Sequence, residues 1–248
     1  MSETEKKSLI EMHPGYTRGV LGVFGAAALA VAGVTSSSIM AIGVLVIALP
    51  LVAGWPYLVG LPNKPAAYPL LALTLVAAIG AGLFGDIRSF AVVCAAGLMG
   101  VFVMEMARKD LGGKRVEQIS GALLGVVTLV SAAMWIRVAA GQMGEDLITT
   151  VAVTIAVVSL MHAFDSIYSP LLGFLNGVVV ATAMAWLTNV PMLAGAALGF
   201  AVGTAYFLTW RATETLEASS RNLAGAARAF IPHSALGVVT FAIALIVF

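Results

Sequence analysis

Three short polar segments of a largely apolar chain carry the residue types that could do chemistry. The first of them holds Glu105, which precedes Arg108 and Lys109 by three and four residues. On a helix this spacing allows a salt bridge along one face. An ionisable group beside a membrane-spanning stretch is also a candidate for ligand binding. The sequence leaves both roles open for Glu105.

The second segment runs from Leu160 to Pro170 and contains His162, Asp165 and Tyr168. If a helix continues past His162, these three side chains fall on neighbouring positions of one face. A histidine beside a carboxylate could shuttle a proton or bind a divalent metal ion, with Asp165 as the metal ligand. The alternative is a hydrogen-bonded helix terminus that ends before the proline.

The third segment, residues 211–234, is the longest polar stretch and contains Arg221, Arg228 and His233. We expect an amphipathic cytoplasmic helix here, with His233 just before the last membrane span. The two arginines could bind a phosphate group. A solvated helix between two spans would need no ligand, so this alternative also stays open.

The composition of the whole chain identifies the class of protein that must position these segments. Among 248 residues, 60% are hydrophobic, only 10% are charged, and the mean hydropathy is +1.02. Globular domains carry about 25% charged residues, so a soluble fold is excluded. The apolar runs are continuous, which excludes a transmembrane β-barrel. A net charge of +1 gives no reason to expect a nucleic-acid partner, and the single Cys94 excludes an intrachain disulfide.

The sequence therefore predicts an all-α, polytopic transmembrane bundle of about nine spans, each of about 20 mostly apolar residues. Residues 1–18 form a polar cytoplasmic tail, and residues 19–248 form one transmembrane domain with cytoplasmic loops at 108–119 and 211–234. The third and last spans are short, and we expect them either to extend into flanking residues or to lie where the bilayer is thin. The predicted spans are 19–35, 39–60, 70–85, 90–107, 120–140, 147–163, 170–188, 192–210 and 235–248.

The distribution of Lys and Arg predicts the orientation, since cytoplasmic loops carry the excess of positive charge. With nine spans and a cytoplasmic N-terminus, eleven basic residues lie inside and only Arg88 and Arg137 lie outside. The C-terminus then faces outward. The eleven inner residues are Lys6, Lys7, Arg18, Lys64, Arg108, Lys109, Lys114, Arg115, Arg211, Arg221 and Arg228.

Glycines at four-residue spacing indicate where helices pack closely, because small residues let helix backbones approach. Three spans show this pattern, and we expect helix contacts rather than a channel lining. The glycines are Gly121, Gly125, Gly173, Gly177, Gly195, Gly199 and Gly203.

The polar segments give the chain a resemblance to the phosphatidate cytidylyltransferase (CDP-diacylglycerol synthase) family. The segment Ala163–Tyr168, followed by Ser169-Pro170 and Gly173, is similar to the stretch that follows that family's sixth helix. Ser219, Ser220 and Arg221 precede Pro232-His233-Ser234 at roughly the family's distance. The resemblance implies nine spans, a cytoplasmic N-terminus and, for an active member, divalent metal ions.

The departures from the family pattern concern its charged residues. A basic pair is replaced by Leu171-Leu172, and the last span begins at Leu236 without the family's two aspartates. A two-metal transfer reaction needs several carboxylates, which Asp165 alone does not provide, although Glu214 or Glu217 could compensate. The resemblance is therefore to a diverged member that lacks most of the catalytic signature.

Three functions remain open from the sequence. The first is a non-catalytic, cytidylyltransferase-like scaffold without a cofactor in a bacterial cytoplasmic membrane. It would bind lipid, or another membrane protein or a second copy of itself, at the cytoplasmic face. The second is a divergent metal-dependent enzyme of anionic lipids, and the third is a small-solute permease. Broken helices would favour a permease, but the sequence has no clear internal repeat.

Overall fold

The computed structural model describes residues 14–108, 113–164, 168–214 and 222–247. Within these ranges all regular secondary structure is helical, and eight helices are long and apolar enough to cross a membrane. The first helix adds a shorter apolar stretch, Arg18–Gly33. The protein is thus a multi-pass helical membrane protein, which confirms the class that composition predicts. The nine helices are α1 Pro14–Gly33, α2 Ser37–Leu58, α3 Lys64–Phe84, α4 Ile87–Met106, α5 Arg115–Ala139, α6 Gly144–Ala163, α7 Ser169–Leu187, α8 Met192–Glu214 and α9 Asn222–Val247.

Short connections make successive helices antiparallel and divide the bundle ends into two rims. The rim where α1 begins, called here the N-terminal rim, also holds the α2–α3, α4–α5 and α6–α7 connections. There the Trp55 indole at the end of α2 donates to the Gly121 carbonyl near the start of α5, at 2.8 Å. At the opposite rim, Arg137 Nη1 donates to the Gly85 carbonyl between α3 and α4, at 3.5 Å. Each rim therefore collects alternate connections.

The last helix lies at the centre of the packing. It contacts α1, α2, α5 and α8, while α1 packs chiefly on α6, and α7 packs on α8. Helix α5 is the most deeply buried span, and α4 lies at the periphery with most of its surface exposed.

Several helices begin earlier than the hydropathy pattern indicates, and α3 and α9 show the largest differences. Helix α3 begins at Lys64 rather than at residue 70, because Asn63 caps it and Pro65 suits its first turn. Helix α9 begins at Asn222 rather than at residue 235. The expected 211–234 loop is wrong in extent, since α8 continues to Glu214 and α9 occupies everything from residue 222. The expected 108–119 loop is likewise shortened by the start of α5 at Arg115.

The glycines of α7 and α8 lie at their mutual contact. A methyl group added at Gly177 or Gly199 would overlap the backbone of the facing helix, and one at Gly203 would overlap Phe174. Gly195 lies against Ala181 and Ala185 in the same way. The two backbones therefore approach directly, with almost no side chain between them.

The other glycines of the four-residue pattern do not contact a helix backbone. Each of them lies against a side chain. Gly121 of α5 lies against Leu61, and Gly125 lies against the Trp55 indole. Gly173 of α7 faces the His162 imidazole, so its missing side chain makes room for that ring.

Candidate functional site

A small polar cavity at the N-terminal rim collects three basic side chains from three helices. Arg18 of α1, His162 of α6 and Arg228 of α9 line it, and its volume is about 40 Å³. The other lining residues are Ser159, Tyr206, Thr209, Trp210, Ala229 and Pro232. Residues far apart in sequence thus meet between α1, α6, α8 and α9.

The imidazole of His162 is held by its own helix. Its Nδ1 lies 2.9 Å from the Val158 carbonyl oxygen, one turn earlier, so Nδ1 carries the donated proton. Its Nε2 is buried and has no hydrogen-bond partner among the described residues. The Tyr206 ring lies beside it at a centroid distance of 5.4 Å. This arrangement leaves one polar atom of the histidine for a ligand or water.

A short hydrogen bond joins the two hydroxyls at the inner end of the cavity. Ser159 and Tyr206 lie 2.6 Å apart, and both residues are buried. Ser159 also donates to the Ile155 carbonyl at 2.7 Å, which makes Tyr206 the donor in the shared bond. Gly22 of α1 lies directly against Ser159, because any side chain there would overlap its hydroxyl.

The Arg228 guanidinium is buried, with only 6% of the residue exposed. Its Nη2 donates to the Trp210 carbonyl of α8 at 3.4 Å. Arg18 lies close enough to His162 to interact with it electrostatically. Two guanidinium groups at one cavity favour an anion, and phosphate or carboxylate oxygens match their donor geometry.

His233 does not lie in a loop before the last span, as the sequence suggests. It is fully buried inside α9, where its Nε2 donates to the Gly22 carbonyl of α1 at 2.8 Å. The Tyr206 ring, 6.1 Å away between centroids, separates it from the cavity. The sequence predicts His233 just before the last span, because the apolar run of that span begins only at residue 235.

Two other candidate residues lie apart from the cavity. Glu105 is buried at the end of α4, where its Oε1 lies 3.3 Å from Arg108 Nη1 and 3.9 Å from Arg115 Nε. Tyr168 precedes α7 with 66% of its surface exposed. Asp165, Arg221 and Glu217 were also candidates, and they lie outside the described residues.

A larger apolar groove runs beside the cavity and was not predicted from the sequence. It has a volume of about 470 Å³ and is lined by residues of α2, α5, α8 and α9. Thr209 lines both the groove and the polar cavity. Representative lining residues are Trp55, Leu124, Val127, Leu208, Ala235 and Val238. No single helix pattern signals such a groove, because it forms only where four helices meet.

The described side chains of the cavity do not fit a divalent metal ion. They are two guanidiniums, an imidazole and hydroxyls, whereas such ions in lipid phosphate chemistry need several carboxylates. Within the described ranges there is no group of three His, Cys, Asp or Glu side chains that could hold a metal.

Comparison of the chain with protein-family models, curated proteins and solved structures gives no match.

Proposed function

We propose that this membrane protein binds an anionic lipid at its N-terminal rim. The phosphate of the lipid head group interacts with Arg18 and Arg228, and one acyl chain lies in the apolar groove. The observation that carries the proposal is that a cavity lined by Arg18 and Arg228 adjoins an apolar groove, with Thr209 lining both.

The burial of Arg228 supports a specific site over general surface attraction. A basic side chain near an anionic membrane surface contributes only about 1 kcal/mol. A guanidinium withdrawn from water forms stronger, charge-assisted hydrogen bonds with phosphate. Arg228 is buried, whereas 53% of the Arg115 side chain is exposed, so a phosphate bound by Arg228 is better shielded from water than one near Arg115.

The groove supports a lipid over a soluble anion. Sites for small organic ligands have volumes of about 300–1,000 Å³, and the groove falls within this range at about 470 Å³. Its exposed walls include Leu124, Val127 and Leu208. The eleven-to-two distribution of basic residues supports a cytoplasmic location for this rim, which we propose lies in a bacterial cytoplasmic membrane.

The test is lipid retention by the full-length protein in nanodiscs, measured by native mass spectrometry. The nanodiscs contain phosphatidylcholine with a minor fraction of phosphatidylglycerol, and both lipids are counted on the released protein. The wild type should retain the anionic lipid selectively. Arg228→Gln should lower this selectivity about tenfold, the factor for one lost hydrogen bond to a charged group.

The matched control is Arg115→Gln, which removes the same charge from the same rim outside the cavity. It should leave selectivity within about twofold of the wild type, as expected for an exposed charge. Equal losses in both variants, or no selectivity in the wild type, would contradict the proposed site.

We further propose that the protein binds lipid without catalysing a nucleotidyl transfer. The support is the loss of the acidic residues that the resembling family uses. Purified protein with CTP, Mg²⁺ and phosphatidic acid should release no pyrophosphate. Robust turnover that Asp165→Asn abolishes would favour the divergent-enzyme alternative instead.

A further inference from the structure

A second groove lies at the opposite rim, where α5 ends, α6 begins and α9 ends. Its volume is about 380 Å³, which is in the range of sites for small organic ligands. No described residue lines both this groove and the apolar groove at the N-terminal rim, so the site proposed above does not account for it. Representative lining residues are Arg137, Gly141, Gln142, Leu147, Phe241 and Leu245.

The second groove is polar at the rim and apolar toward the middle of the bilayer. Gln142 and Gly144 lie at the rim, between α5 and α6. Leu147 follows Gly144 by one turn of α6, and Phe241 precedes Leu245 by one turn of α9, so both lie about 5 Å deeper. Leu245 is exposed on a membrane-spanning helix, and the groove therefore opens to the surrounding lipid. A phospholipid has the same order of polarity, with its head group at the rim and its chains inward.

Arg137 provides a cation at the polar end of the second groove. It lies in the last turn of α5, and within the described residues it makes one hydrogen bond, from Nη1 to the Gly85 carbonyl at 3.5 Å. A guanidinium group has five N–H donors, so the others have no partner in the described part of the chain. Phosphate oxygens match this donor geometry and can accept two parallel hydrogen bonds.

Two carboxylates beside the second groove determine which phospholipid suits it. Glu145 directly follows Gly144 and is exposed, and Asp146 comes next, with its Oδ2 accepting from Asn189 Nδ2 at 3.4 Å. An anionic lipid would bring a net negative charge next to these carboxylates, which repel it. A zwitterionic lipid instead offers an ammonium group to the carboxylates and a phosphate to Arg137. Charge complementarity therefore favours the zwitterionic lipid.

We propose that the second groove binds a zwitterionic phospholipid in the leaflet opposite to the first site. The phosphate interacts with Arg137, the ammonium group lies toward Glu145, and one acyl chain lies along Phe241 and Leu245. The apolar half of the groove commits the site to a lipid rather than to a soluble phosphate ester. This inference does not depend on the proposed function, because the two grooves share no described lining residue.

The experiment is photo-crosslinking of the full-length protein in phosphatidylcholine nanodiscs. Phosphatidylethanolamine and phosphatidylglycerol, each with a diazirine in one acyl chain, are added in equal trace amounts to separate samples. Mass spectrometry of peptides then locates the label. In the wild type the ethanolamine probe should label residues 239–247 roughly threefold more than the glycerol probe, the factor for one exposed charge interaction.

Two variants test the two charged contacts. Arg137→Gln should lower labelling of residues 239–247 by both probes about threefold to tenfold, the range for one lost hydrogen bond. Glu145→Gln should remove the preference for the ethanolamine probe. Because Glu145 is exposed, this replacement tests the site without disturbing the packing of the bundle.

The matched control is Arg88→Gln, which removes the same charge from the same rim. Arg88 is exposed and does not line the groove, so labelling should stay within about twofold of the wild type. Equal labelling of residues 239–247 by the two probes in the wild type overturns the zwitterionic site. Equal losses in Arg137→Gln and Arg88→Gln overturn it as well, because the effect would then come from the charge of the rim and not from the groove.

Discussion

The lack of a side chain at Gly199 allows α7 and α8 to approach closely. The Gly199 backbone lies directly on the Gly177 carbonyl, so Gly199→Ala forces a new atom into a rigid neighbour. We expect a loss of about 1–3 kcal/mol, the usual cost of overpacking a well-packed contact. Thermal unfolding in detergent, followed by circular dichroism, measures the change.

Gly80→Ala provides the matched control, because nothing lies within 4 Å of a methyl group at that helical position. Alanine favours helix over glycine by up to about 1 kcal/mol, so this variant should be equal to or slightly more stable than the wild type. A similar loss in both variants would show that the α7–α8 contact is not the cause.

Asp86 makes the stability of the start of α4 depend on pH. Its Oδ1 accepts from the Ser89 amide and hydroxyl, both at 3.0 Å, and the Ser89 hydroxyl accepts from the Asp86 amide at 3.2 Å. These bonds to Ser89 lower the pKa of Asp86 below its ordinary value of 3.8. A carboxyl with a lowered folded-state pKa stabilises the fold above the unfolded-state pKa and loses this contribution as pH falls through the folded-state pKa.

Asp86→Asn should therefore differ less from the wild type at pH 3 than at pH 6, because the contribution of the carboxylate is lost as the pH falls through its folded-state pKa, and asparagine also caps helices. At pH 6 it should be slightly less stable, since the charge at the helix N-terminus is missing. Asp86→Ala loses the cap and should be the least stable at both pH values. Thermal midpoints of the three proteins at pH 3 and pH 6 provide the test, and a wild type that gains stability at pH 3 would contradict it.

At the scale of single helices, α9 shows what the sequence could not reveal. Hydropathy predicts that the last span begins only at residue 235, because Arg228, Pro232 and His233 interrupt the apolar run before it. In the structure Arg228 bonds the Trp210 carbonyl of α8, His233 bonds the Gly22 carbonyl of α1, and the Trp135 indole of α5 bonds the His233 carbonyl next to the proline. Such compensation comes from tertiary packing, which a single-sequence pattern does not contain.

Other elements could be predicted because their signals are local. The helical membrane class follows from composition, and Gly177, Gly199 and Gly203 of the four-residue glycine pattern lie at the contact between α7 and α8. His162 and Arg228 were both candidates from residue type alone. Arg18 and Tyr206 were not assigned to the site, because only the contacts of α1 and α8 bring them to the cavity.

The backbone contact between α9 and α5 at Gly237 leads to a separate prediction about stability. Gly237→Ala would overlap the Ser131 carbonyl and separate α5 from α9, and we expect a loss of about 3 kcal/mol or more. Gly225→Ala, on the same helix with open space around it, should be neutral or gain up to about 1 kcal/mol. Thermal unfolding distinguishes them, and equal stability of the two variants would mean that the backbone contact is unimportant.

At the scale of the whole molecule, the orientation in the membrane determines which rim faces the cytoplasm. Two labels, one at each end of α5, can measure it. Arg115 at its start and Gln142 just after its end are both exposed and lie at opposite rims. In a Cys94→Ala background, which removes the only native thiol, each is replaced by cysteine. An impermeant maleimide applied to intact cells should label Gln142→Cys and should label Arg115→Cys only after the membrane is permeabilised. The physical reason is that the N-terminal rim carries most of the basic side chains, which resist translocation. Labelling of Arg115→Cys alone in intact cells would invert the orientation and place the cationic cavity outside. Labelling of both would mean that α5 does not cross the bilayer, and the two rims would then no longer be separated by the membrane.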